Sequence, residues 1–151
     1  MKKINCVFDG ACEPKNPGGY IGYGSAMFDE NKKLIVQNSG YKKENPYNTN
    51  NVAEYMGLES IFRYIDKKNI VDSEINIYGD SQLVINQMKG DWNINDGVYK
   101  TLATQCRVML TRLIINNNLH FNFIWIPREK NTYADKLSKK SLEAHGIKSN
   151  N

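Results

Sequence analysis

Hydrophobic residues in this chain change their period in a definite order, and that order constrains the fold more than any single motif does. Ile4, Cys6 and Phe8 alternate, and an acid, Asp9, followed by Gly10 closes the run before the turn Asn16-Pro17-Gly18-Gly19. Tyr20 to Phe28 and Leu34 to Tyr41 read as two further strands linked through Asp29-Glu30-Asn31-Lys32, which makes an antiparallel meander. The period then lengthens to that of a helix. From about Asn51 to Lys67, Leu58, Ile61, Phe62 and Ile65 share one face, behind the cap-rich cluster Asn48-Thr49-Asn50-Asn51. A strand from Glu74 to Tyr78 and a short helix from Ser81 to about Met88 follow. Next come a helix from about Val98 to Ile115, with Val98, Leu102, Cys106, Met109 and Leu113 on its inner face, and a strand from Leu119 to Ile126. The last helix opens at Asn131 and runs to about His145, with a stripe of Tyr133, Ala134, Leu137 and Ser141. The order βββαβααβα predicts an α/β fold, one mixed sheet with helices on both faces and the first and fourth strands adjacent.

A chain of 151 residues buries a core without disulfides or a structural metal, so one folding unit over 1–151 is expected, with a frayed tail from about 147. No apolar run approaches the roughly 18 residues of a membrane span, and Met1-Lys2-Lys3-Ile4 enters a strand without the pattern of a secretory signal. A cytoplasmic monomer with no membrane partner is expected. Cys6, Cys12 and Cys106 are scattered, and with only His120 and His145 beside them they argue against a zinc framework. Cys6 and Cys106 read as core; Cys12 falls in the turn, where the sequence leaves open whether its thiol is partly exposed. The net charge is +4, from 20 cations and 16 acids. If four acids gather at a metal, the other 12 leave a balance of +8 that suits a polyanion.

Four acids stand at the ends of the predicted elements. Asp9 ends a strand, Asp80 follows one, and Asp135 lies in the first turn of the last helix. Each has an ordinary explanation, as turn, cap or dipole partner. Glu54 is harder to explain, because helical spacing puts it on the apolar stripe, where an acid without a partner is costly. Such termini meet at one end of an α/β sheet. Carboxylates crowded there raise one another's pKa unless a cation is present, and an all-oxygen set favours Mg²⁺ or Mn²⁺ over zinc.

These residues fall in four blocks: Asp9-Gly-Ala-Cys with Asn16-Pro-Gly-Gly, Thr49-Asn-Asn-Val-Ala-Glu54, Tyr78-Gly-Asp80-Ser-Gln82, and Pro127-Arg-Glu-Lys-Asn131-Thr-Tyr-Ala-Asp135. In order and spacing, from about Ile4 to Leu142, the chain resembles the type 1 ribonuclease H family. The resemblance implies a five-stranded sheet of order 3-2-1-4-5 with strands one to three antiparallel. It implies hydrolysis of the RNA strand of RNA·DNA hybrids with two divalent ions, Mg²⁺ or Mn²⁺ in its place, giving 5′-phosphate and 3′-hydroxyl ends. Asp9, Glu54, Asp80 and Asp135 match the metal-binding acids, with Asp9 as the bridge between ions. Asn16, Asn50 and Gln82 match positions at the minor groove, where amides meet base edges and 2′-hydroxyls. Thr49 matches a residue near a DNA-strand phosphate.

Two departures set the chain apart from many members. The segment from Trp125 to Ala134 lacks the histidine found there, leaving Arg128, Glu129 or Lys130 as the nearest helpers. The segment from Gly90 to Tyr99 contains Trp92 but no Lys or Arg, so a basic protrusion is missing and hybrid binding falls to dispersed residues such as Lys15, Lys89 and Lys100. Double-stranded RNA then enters as a further substrate to test. The rival readings are a non-catalytic nucleic-acid-binding module, which would lack one of the acids, and a DNA-cutting relative, against which the Thr49-Asn50-Asn51 and Asp80-Ser81-Gln82 blocks argue.

Overall fold

The computed structural model describes residues 1–148; the expected frayed segment Ser149-Asn150-Asn151 lies outside the described residues. Its elements are β1 (Lys2–Glu13), β2 (Tyr20–Phe28), β3 (Leu34–Lys42), α1 (Asn50–Lys67), β4 (Ser73–Gly79), α2 (Gln82–Lys89), α3 (Lys100–Asn117), β5 (Leu119–Trp125), a 3-10 turn (Arg128–Lys130) and α4 (Thr132–Ala144). The sheet runs β3-β2-β1-β4-β5, with β1 to β3 antiparallel and β4 and β5 parallel to β1. This is the topology that the resemblance implied.

Alternation along β1 and β2 assigns each side chain to a layer. Ile4, Cys6 and Phe8 join Ile21 and Met27 in a core with Leu58, Ile61, Phe62 and Ile65 of α1 and Cys106, Leu110 and Leu113 of α3. Each of the four α1 side chains is fully buried, a contribution of roughly 1.5–3 kcal/mol apiece. That packing anchors α1, and with it Glu54. On the opposite face α4 lies over β2, β1 and β3. It comes close because Gly22 has no side chain; a Cβ there would overlap the Ser138 carbonyl oxygen and press on Leu142. Among the described residues, no helix is long and apolar enough to cross a membrane.

The structure corrects several local expectations. β1 does not stop at Asp9 but continues to Glu13, because its antiparallel pairing with β2 runs on to Glu13↔Tyr20. Cys12 is therefore a buried strand residue whose thiol donates to the Lys15 carbonyl at 3.3 Å, and not a partly exposed turn thiol. α3 starts at Lys100, which leaves Val98 exposed in the preceding loop and rotates the buried face to Ala103, Cys106, Leu110 and Leu113. In α4 the buried residues are Ala134, Leu137, Ser138 and Leu142, because the helix meets Gly22 and Gly24 of β2 through Leu137, the Ser138 backbone and Leu142. Tyr133 is exposed, and its ring meets Phe28 edge-on at 5.2 Å. Tyr99 belongs to the core, stacked on Tyr55 at 6.0 Å, whereas Trp92 and Trp125 are exposed.

Gly22→Ala should push α4 away from the sheet and lower stability by about 1–3 kcal/mol, the usual cost of overpacking. A urea titration reads this as a lower midpoint with an unchanged slope.

Candidate active site

The pairing of β1 with β4 ends at Val7↔Tyr78, whereas β1 and β2 stay paired beyond it. A cleft opens where β1 and β4 part, and the first acidic residues past the split are Asp9 and Asp80. Asp9 is 4% exposed, with one carboxylate oxygen accepting the Gly10 N–H at 2.9 Å. Gly10 also lets α1 sit directly on β1, since a Cβ there would overlap the backbone of Ala53 and Glu54. Glu54 thereby reaches Asp9, and it is 8% exposed.

Asp80 is free for the cleft because it does not cap α2. Ser81 does so, its hydroxyl accepting the Val84 N–H at 3.2 Å. The Trp125 indole donates to the Asp80 carbonyl at 3.1 Å, tying the end of β5 to this loop. One carboxylate oxygen from each of Asp9, Glu54 and Asp80 lies within 4.8 Å of the others. Asp135 lines the same cleft of about 120 Å³, with Asn50, Glu13 and Arg128, but stands outside the close trio. Its carboxylate is held by Lys139 at 3.1 Å, one helical turn on.

Crowding and burial act together on the trio. Burial, then the charge of Asp80, pushes Asp9 up to about 7, although hydrogen bonds with Glu54 and the Gly10 N–H pull the other way. Glu54 is raised well above the ordinary carboxylate range, first by burial and then by Asp9 and Asp80, with Arg128 opposing. Asp80 is raised by burial, against which the amide of Asn131 and the charge of Arg128 act. One Glu54 oxygen is buried with no hydrogen-bond partner. A carboxylate oxygen of that kind, beside two more carboxylates, is a donor set made for a hard divalent cation.

The sequence-predicted substrate residues take different positions. Thr49 caps α1, accepting the Val52 N–H at 3.1 Å. Asn50 accepts the Cys12 N–H at 2.9 Å, and Asn16 accepts the Asn50 N–H at 3.1 Å, so the two amides lace the turn after β1 to the start of α1. Gln82 is exposed at the first position of α2. His120 is exposed on β5, while His145 stacks on Tyr41 at 3.6 Å, and neither lines the cleft. Sequence reasoning missed the parts played by Trp125, Lys139 and Asn131. Lys139 alone had a signal, its spacing of four from Asp135.

A sheet of this order with acids buried where its central strands part defines a ribonuclease H-like domain. A family model described as reverse transcriptase-like matches residues 7–141, and the chain belongs to that family. The bifunctional protein Rv2228c of Mycobacterium tuberculosis is 32% identical over 129 residues, 85% of this chain and 33% of that protein. Its solved N-terminal RNase H domain is similar with a TM-score of 0.81 and 28% identity over 97% of each chain. LC11-RNase H1, solved in complex with an RNA/DNA hybrid, has a TM-score of 0.78 and 28% identity, covering 94% of this chain and 98% of that one. Ribonuclease HI of Halobacterium salinarum is 33% identical over 95 residues, 63% of this chain and 44% of that protein. The chain spans about a third of the length of the Mycobacterium relatives it matches.

An acid whose pKa is higher folded than unfolded binds more protons in the native state, so stability falls as pH rises between the two values. For Asp9 that window runs from its ordinary 3.8 to about 7. With a chelator present, the protein should therefore melt at a lower temperature at pH 8 than at pH 5.5. Asp9→Asn should raise the melting temperature more at pH 8 than at pH 5.5, and differential scanning calorimetry checks both statements.

Proposed function

We propose that the chain is a single ribonuclease H domain that hydrolyses the RNA strand of RNA·DNA hybrids, leaving 5′-phosphate and 3′-hydroxyl ends. The observation that carries this reading is the trio Asp9, Glu54 and Asp80, gathered within 4.8 Å of one another, with one Glu54 carboxylate oxygen buried and unpartnered. Similarity to LC11-RNase H1, whose solved complex holds an RNA/DNA hybrid, supports the choice of substrate.

Asp9, Glu54, Asp80 and Asp135 are the residues that would hold two divalent ions, Mg²⁺ with Mn²⁺ as substitute, and Asp9 would bridge them. Bound there, the ions would activate the attacking water and stabilise charge on the leaving oxygen. Asp9 and Glu54 would have to be ionised to hold a cation, which would make binding pH-dependent. Asp135, paired with Lys139 in this structure, would join the site as its fourth acid. Arg128, lining the cleft, offers the scissile phosphate a guanidinium in the loop that lacks a histidine.

Substrate recognition follows from which ends of the amides are already used. The oxygens of Asn16 and Asn50 accept backbone N–H groups, so their NH₂ groups are left to donate. Donors at that place suit the minor-groove acceptors and the 2′-hydroxyls that distinguish RNA from DNA. Thr49, with its oxygen engaged as a cap, retains an O–H for a DNA-strand phosphate, and Gln82 adds an exposed amide at the start of α2. Lys89 and Lys100 pair with Asp91 at 3.5 Å and Asp96 at 2.9 Å on the surface, so they and Lys15 give a diffuse grip that salt weakens. The reading takes the working form as a cytoplasmic monomer.

A labelled hybrid incubated with the protein should be cut only with Mg²⁺ or Mn²⁺ and should yield 5′-phosphates. Asp9→Asn should lose more activity than the roughly 10–100-fold typical of removing a ligand's supporting partner, while still binding the hybrid. Equal cutting of hybrid, RNA duplex and DNA duplex would defeat the substrate assignment. Cleavage by Asp9→Asn at the parent rate would put the chemistry elsewhere.

A further inference from the structure

We propose that Asn131 is the positioning residue of the carboxylate cleft: its buried amide locks Asp80 to β1 while its backbone starts the helix that carries Asp135. The proposal rests on the metal-dependent reading above. Asn131 occupies the N-cap position of α4, where an asparagine ordinarily uses its side-chain oxygen to accept an N–H of the first turn. Here the side chain makes no capping bond. The residue is 2% exposed, and its side-chain nitrogen donates to the Phe8 carbonyl at 2.9 Å and to an Asp80 carboxylate oxygen at 3.0 Å.

Both acceptors bear on the cleft. Phe8 directly precedes Asp9 and lies one residue past the last β1–β4 pair, so the amide bridges the place where the two strands part. Asp80 is the acid on the far side of that gap. The Asn131 backbone carbonyl accepts the Asp135 N–H at 3.1 Å, the opening bond of α4. One residue therefore touches the strand bearing Asp9, the carboxylate of Asp80 and the backbone of Asp135.

The amide can sit only one way round. Its two neighbours are both acceptors, and turning it over would set its oxygen against a carbonyl and a carboxylate. In the orientation found, its own oxygen is buried without a partner. A residue selected for capping would not leave that oxygen bare; one selected for two N–H donors on a single atom would. Aspartate would add another charge beside Asp80, and serine offers a single donor on a shorter arm.

Mn²⁺ titration calorimetry on the whole chain, without nucleic acid, tests the role. Asn131→Ala should weaken Mn²⁺ binding by about 10–100-fold, the range for losing a partner that orients a ligand, and Asn131→Ser should weaken it less. Leu142→Ala, buried in α4 away from the cleft, should lower the melting temperature yet leave Mn²⁺ affinity within about twofold of the parent. If Asn131→Ala binds Mn²⁺ as the parent does, the positioning role is overturned and the metal reading survives. If the parent itself binds no Mn²⁺, or binds it as well after Asp9→Asn, the metal reading fails first. If both Asn131 variants fail to fold while Leu142→Ala folds, the residue is structural and the proposal falls.

Discussion

Desolvating Asp9, Glu54 and Asp80 in one cleft costs free energy that the rest of the fold must offset, because like charges away from water raise one another's pKa. The offset comes from packing remote from the acids. Leu58, Ile61, Phe62 and Ile65 fasten α1 to the sheet below Glu54, and the β1–β2 ladder continues on both sides of Asp9. Neither segment can move to relieve the repulsion without exposing apolar surface or breaking strand pairs. What remains is to take up a proton or a cation, and this links the stability of the metal-free protein to its proposed chemistry.

The cleft exists because two strands part at a defined residue. β1 keeps β2 as a partner to Glu13 but has lost β4 after Val7, so the backbone between them is open at Phe8. Asn131 fills that opening with a side chain from a helix on the other face of the sheet. Gly10 performs the complementary task on the α1 side by leaving room for the helix backbone. A donor and an absent side chain thus set the two walls between which the acids stand.

Most of the architecture could be read along the chain. The boundaries of β2 agree to the residue, and the apolar stripe of α1 is fully buried as its period implies. The errors fall where pattern carries little information. Nothing in the run Asp9 to Glu13 alternates in a way that separates strand from turn, and it is the partner strand β2 that keeps it extended. The inner face of α4 was only half legible: Ala134 and Leu137 lie on the predicted stripe, but Ser138, whose backbone meets Gly22 and Gly24, carries no hydrophobic signal. Asn131 read only as the residue that opens the last helix, and an asparagine in that place gives no sign that its amide is used elsewhere.

By itself, then, the sequence determined the order of elements and singled out the acids, since periodicity and the misplaced charge of Glu54 are local properties that survive without coordinates. Tertiary structure decided which acids come close. It gathered three of them within 4.8 Å and set Asp135 at the rim against Lys139. That outcome depends on where β1 and β4 separate, on the side chain missing at Gly10 and on the way one buried amide faces. Each is a contact between residues far apart in the chain, and local patterns of residues do not encode the distance between them.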